Sequence, residues 1–207
     1  MIPAGDSYHA CPECGAVHAR EEIMSGNTIG AKYYSDGKME APMFPDLPSV
    51  IRCARCALIF QLRHDMRISR PSDRTVQVYR ANHLDLKGWK DVIGTRFNFD
   101  AGYELTYRVR LMWTYHDPLR HDLEMSVDLK GDREYVSNLL RLLELMDEND
   151  PEDLLFSAEL NRLLGRFEHA WSILDQLIEN DQLSKLGANI LACQNALNRE
   201  DSRVYQV

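Results

Sequence analysis

The sequence predicts an α+β protein, with a small cysteine-bearing β module at the N-terminus and a mostly α-helical region after it. Three observations predict this. Two Cys-x-x-Cys pairs lie in the N-terminal third, Cys11/Cys14 and Cys53/Cys56. Glycine, asparagine and proline crowd the stretch between them. Beyond residue 130, apolar residues recur at the three- and four-residue spacing of amphipathic helices.

Size and composition fit this division. A chain of 207 residues is long enough for one compact domain, or for a small module joined to a helical one. Its 44% hydrophobic and 27% charged content excludes wholesale disorder and fibrous structure. No apolar run approaches the roughly 18 residues a membrane span needs. The start, Met1–Asp6, lacks the charged and apolar regions of a signal peptide. The expectation is a cytoplasmic protein. Net charge is −8, and residues 131–207, with 15 acidic and 7 basic side chains, hold the whole imbalance. That weighs against nucleic acid as a partner, because phosphate neutralisation needs a basic face. Arg52, Arg55, Arg63, Arg67 and Arg70 form a local basic run that reads as a solvated surface.

The cysteines carry the clearest chemistry. Two residues between cysteines let both sulfurs face one ion, and two such pairs complete the tetrahedron of a tetrathiolate zinc site. Cys11, Cys14, Cys53 and Cys56 are therefore the predicted ligands of a structural Zn2+, and residues 1–70 the predicted zinc-ribbon domain. Four thiolates leave no open coordination position for catalysis. A disulfide or redox dithiol is disfavoured, since nothing marks an oxidising compartment and no βαβ pattern surrounds the pairs. Gly15 suits the left-handed position that closes the first knuckle, whereas Ala57 stands there in the second. His9 and His18 flank the first pair and are expected beside the metal ligands or exposed.

Between the knuckles, Asp36-Gly37 after Tyr33-Tyr34 predicts a tight hairpin turn. Ser25–Gly30 matches no phosphate-binding fingerprint and reads as a loop packed against the zinc site. Three prolines within Ala41–Pro48 predict an extended surface crossing. Val76–Tyr79 suggests a short strand, and Leu84–Ile93 a short helix ended by Gly94. Tyr103–Tyr115 alternates like a strand, but Leu105, Val109, Met112 and Trp113 also share a helical face; the expectation is helix, ending before Pro118. His116, Asp117, His121 and Asp122 follow as two His-Asp pairs.

Glu134–Met146 is apolar almost all round and predicts a helix packed between others. Asp150 is the expected N-cap of the next helix and Pro151 its first residue. That helix runs to Leu164 and stops at Gly165; the following one presents Phe167, Ala170, Trp171, Leu174, Leu177 and Ile178. Cys193 joins Leu186, Ile190 and Leu197 on one stripe and reads as a buried thiol.

Leu164-Gly165-Arg166-Phe167-Glu168-His169-Ala170, with Ala158 before it, resembles the centre of a tetratricopeptide repeat. The resemblance implies a helical hairpin at about 151–180 within the 71–207 domain. Ser157 and Asn161 depart from its pattern, and so does Gln182 where a closing proline is usual. Taken whole, the chain resembles a bacterial zinc-ribbon family defined by motifs and not by an activity. Those motifs are the CPxCG knuckle, Ser25–Lys38, Ala41–Pro48, the second CxxC, Trp113 through Arg120 and a repeat-like helical end.

These readings lead to a non-enzymatic zinc-binding interaction or scaffold protein, with the helical region taking a protein or peptide partner. Two alternatives stand beside it. One is a nucleic-acid-associated zinc ribbon using the arginines near Cys53 with Tyr33 and Tyr34 as stacking groups. The other is a metal-dependent hydrolase using His116, Asp117, His121 and Asp122.

Overall fold

The computed structural model describes residues 1–95, 101–121, 129–179 and 183–207. The chain divides into two compact units. The first takes Met1–Ala31 and Glu40–Phe97, the second Lys32–Met39 and Asn98–Val207.

The first unit is built on a long antiparallel hairpin, β1 (Ile2–Ala10) and β2 (Val17–Ser25). Two short strands flank it. After β3 (Lys32–Tyr33) and β4 (Met39–Glu40), a second small hairpin is formed by β5 (Val50–Arg52) and β6 (Ile59–Gln61). β7 (Arg67–Ile68) then pairs antiparallel with β1, and β8 (Val78–Arg80) pairs parallel with β2, giving the order β7-β1-β2-β8. This pairing carries the unit past the expected boundary at residue 70, because β8 completes the sheet edge. Helix α1 (Leu86–Gly94) follows; Asp85 caps it by accepting from the Gly88 N–H at 2.7 Å.

The core of this unit is Cys11, Ala16, Ile51, Cys53, Phe60, Leu62 and Ala81. Two of the four knuckle cysteines are thus core residues. The Ser25–Gly30 loop packs on the proline-rich segment: a Cβ on Gly26 would sit 2.4 Å from the Met43 carbonyl oxygen. Only glycine fits that approach.

The second unit starts with the β3–β4 hairpin, whose turn holds Gly37 at φ +78. Its helices are α2 (Ala101–His121), α3 (Arg133–Leu145), α4 (Pro151–Leu163), α5 (Phe167–Glu179) and α6 (Leu183–Leu197). Asp150 caps α4 with Pro151 in the first turn, as the sequence predicts. Ala158 and Ala170 are fully buried where α4 meets α5, so a larger side chain at either would cost on the order of 1–3 kcal/mol. Leu186, Ile190, Cys193 and Leu197 of α6 close this core in the predicted stripe.

Three expectations are corrected. α2 does not end before Pro118 but runs through it to His121. Pro118 removes only the one helical bond its own N–H would make, and Arg120 beyond it donates to the Trp113 carbonyl at 3.1 Å and pairs with Asp117. The deepest face of α2 is formed by Tyr107, Leu111, Met112, Tyr115 and His116, while Leu105, Val109 and Trp113 are half-buried. Tyr115 reaches this face without stranding its hydroxyl, which donates to Asp132 at 3.1 Å. On α3 the buried residues are Tyr135, Asn138, Leu139 and Leu142, a stripe and not the whole circumference. Gln182 lies outside the described residues.

Candidate metal centre

Each Cys-x-x-Cys pair sits at the tip of a hairpin, the first between β1 and β2 and the second between β5 and β6. The two tips repeat one backbone pattern. Cys11 N–H donates to the Ala16 carbonyl at 2.8 Å, and Gly15 N–H to the Cys11 carbonyl at 2.9 Å. Cys53 N–H donates to the Leu58 carbonyl at 2.7 Å, and Ala57 N–H to the Cys53 carbonyl at 3.0 Å. Gly15 has φ +70 and Ala57 φ +62, so alanine takes the left-handed conformation that glycine takes in the first knuckle.

The four sulfurs converge. Their ligand atoms all lie within 4.8 Å of one another. The Cys11–Cys56 and Cys14–Cys53 sulfur separations are both 3.6 Å, and each joins one knuckle to the other. Four sulfurs at about 2.3 Å from a tetrahedral zinc would be about 3.8 Å apart. The observed separations match that spacing and far exceed the roughly 2.05 Å of a disulfide. The residues present therefore fit a bound metal ion, and among the described residues they are the one such group.

The surroundings favour thiolate at Cys53. Burial raises its pKa, but the N–H groups of Cys56 and Arg55, the His18 ring and the Cys14 thiol outweigh it and hold Cys53 down to about 5. The Arg55 N–H lies 3.4 Å from the Cys53 sulfur. Such N–H groups around a thiolate are the usual support of a metal ligand.

His9 and His18 are not exposed. They face each other across β1 and β2 and are 0% and 1% accessible. The His18 ring packs between Phe60 and Tyr79, with centroids 5.8 and 5.6 Å away. Burial first, then the charges of Arg20 and Arg67, lower the His9 pKa.

The His-Asp pairs do not form a second metal cluster among the described residues. His116 is buried and turns inward, its Nδ1 2.7 Å from Asp36 and its Nε2 2.9 Å from the Tyr135 hydroxyl. Asp117 is half-exposed and pairs with Lys38 and Arg120. The His121 side chain and Asp122 lie outside the described residues.

Two buried polar groups of the second unit were missed in the sequence. Asp36 is fully buried and accepts from Arg120 as well as His116. Arg162 is also fully buried; it pairs with Glu159 at 2.6 Å and donates to the Arg203 carbonyl at 2.8 Å. The signal for Arg162 was its spacing, four residues after the small Ala158 on the inward face of α4.

Three of the five arginines near the second knuckle are matched by carboxylates: Arg52 with Asp91 at 2.7 Å, Arg67 with Glu22 at 2.9 Å, and Arg63 with Asp65. Tyr34 is buried beneath Arg120, whose guanidinium lies 5.1 Å from its ring, while Tyr33 is exposed. Among the described residues, no helix is long and apolar enough to cross a membrane. No protein-family model, curated protein or solved structure matches the chain, whose Cys11, Cys14, Cys53 and Cys56 form a cluster of metal-binding geometry.

Proposed function

We propose that the chain is a non-enzymatic interaction or scaffold protein. In this reading a structural zinc, held by Cys11, Cys14, Cys53 and Cys56, organises the N-terminal unit as a zinc ribbon. The tetratricopeptide-like helical region takes a protein or peptide partner. The observation that carries the reading is the convergence of four cysteine sulfurs from two hairpin tips to within 4.8 Å of one another. A structural role is supported by the place of Cys11 and Cys53 in the core, and by the completeness of a four-thiolate shell. The α4–α5 hairpin, with its small residues at the crossing, supports the repeat-like reading of the helical unit.

The alternatives draw less support. A hydrolase built on His116 and Asp117 would need both free to meet substrate, and both are engaged in the Asp36–Arg120 network. A nucleic-acid surface would need unmatched arginines and accessible aromatics. Three of its arginines pair with carboxylates and one of its two tyrosines is buried.

Cys53→Ser tests the proposal. The variant should lose its zinc, and residues 1–31 and 40–95 should become sensitive to protease while helical circular dichroism persists. Unchanged metal content and melting would reject the assignment.

A further inference from the structure

Residues 205–207 lie along the Tyr33–Ser35 edge of the second unit and pair with it through one bridge. Tyr34 and Gln206 form an antiparallel bridge. Ser35 N–H donates to the Tyr205 carbonyl at 2.9 Å, and Val207 N–H to the Tyr33 carbonyl at 2.9 Å. Tyr205 N–H donates to the Ser35 hydroxyl at 3.3 Å. Arg162 anchors the approach through the carbonyls of Asp201 and Arg203. Every one of these bonds engages the main chain of the added segment. The edge therefore holds the segment through its backbone, and the one side chain it also engages is Tyr205, whose ring lies 4.9 Å from the Arg162 guanidinium.

Beneath lies a cavity of about 470 Å³. Strand alternation sends Tyr205 and Val207 to its wall and Gln206 to solvent. Tyr33, Phe156 and Leu186 also line it, with the charged residues Lys38, Glu152 and Glu159; Lys38 is paired with Asp117 and Glu159 with Arg162. This volume is open with the tail in place, Tyr205 half-buried against it and Val207 exposed at its rim, and its size is that of a ligand pocket. The site takes a strand, and its present occupant leaves much of it unfilled.

We propose that the Tyr33–Ser35 edge and this cavity form a strand-accepting peptide site in which residues 203–207 sit as an internal stand-in. The partner is an extended neutral or basic peptide with an aromatic and a bulky aliphatic residue two positions apart. This deepens the interaction role proposed above and rests on it. The main chain of the peptide replaces the bonds to Ser35 and Tyr33, its side chains fill the cavity, and Glu152 selects against acidic sequences. The internal segment competes at high effective concentration, which keeps the site closed until a better-fitting strand displaces it.

The test is a fluorescence-anisotropy titration with a labelled Ser-Arg-Val-Tyr-Gln-Val peptide. Three zinc-loaded hosts are used: the intact chain, the chain ending at Ser202, and the intact chain carrying Tyr205→Ala and Val207→Ala. The last host keeps the Asp201 and Arg203 carbonyls for Arg162, so it remains informative where the shortened chain fails to fold. Both opened hosts should bind at least about 10-fold tighter than the intact chain, and replacing the tyrosine of the peptide by alanine should abolish the gain. Opened hosts that melt normally yet bind no better than the intact chain would overturn the site. A random peptide array probed with the same hosts separates this from the broader reading. Binders common to all three hosts would remove this site and keep the interaction role, whereas an array with no binder would remove both.

Discussion

Ala57 and Gly15 occupy the same place in the two knuckles, each donating its N–H to the carbonyl of the cysteine four residues earlier with φ near +60 to +70. For alanine that conformation is strained, and for glycine it is not. Ala57→Gly should therefore stabilise the protein by about 0.5–1 kcal/mol, after the greater freedom of an unfolded glycine is set against the relief of strain. Gly15→Ala should destabilise it by a similar amount. Urea unfolding of both variants, loaded with zinc, checks the pair; equal effects of the same sign would contradict the equivalence of the knuckles.

Asp36 ties the β3–β4 turn into the helices of the second unit. It is fully buried between His116 and Arg120, whose side chain is itself inaccessible. Asp36→Ala removes the partner of a buried guanidinium and should cost about 3–5 kcal/mol. A loss below 1 kcal/mol in denaturant unfolding would mean that Arg120 finds another partner.

Stability should fall on the acid side. Hydrogen bonds from Arg141 and Arg108 hold the Glu104 carboxyl down to about 2, against an ordinary value of 4.5. A carboxyl depressed in the folded state contributes stability above its unfolded value, and that contribution is lost as pH falls toward its folded value. The window is therefore about pH 4.5 down to about 2. Asp36 adds in the same direction: burial raises its pKa, but the His116 hydrogen bond and the His116 and Arg120 charges outweigh it. Melting temperature against pH checks this. Glu104→Gln should melt lower than the parent at neutral pH, and the two should converge near pH 2. A constant difference across that window would exclude the linkage.

The Glu159–Arg162 pair should behave asymmetrically. Arg162→Met leaves Glu159 unpaired and releases the 201–203 carbonyls, at a cost of about 3–5 kcal/mol. Replacing both residues, Glu159→Leu with Arg162→Met, should recover part of that loss, because no buried charge is stranded. A double-mutant cycle gives the coupling directly.

Local rules made several parts of the fold legible. The Asp150-Pro151 start of α4, the Leu186–Leu197 stripe and the four cysteines follow from capping, periodicity and ligand spacing. What stayed hidden was non-local. Asp36 looks like an ordinary turn residue, and its burial depends on an arginine 84 positions later. Pro118 signals a helix end by its own chemistry, yet α2 continues through it to His121. The burial of Tyr107 and Tyr115 was obscured because tyrosine serves as readily on a wet face as on a dry one.

Metal content per chain, measured by elemental analysis of tag-free protein with thiols counted before and after a chelator, decides whether the four cysteines hold zinc. One zinc per chain is expected, with four thiols that become reactive only when it is removed and Cys193 silent until unfolding. Zinc-free protein with the same melting temperature, or four thiols reactive while zinc is bound, would contradict it.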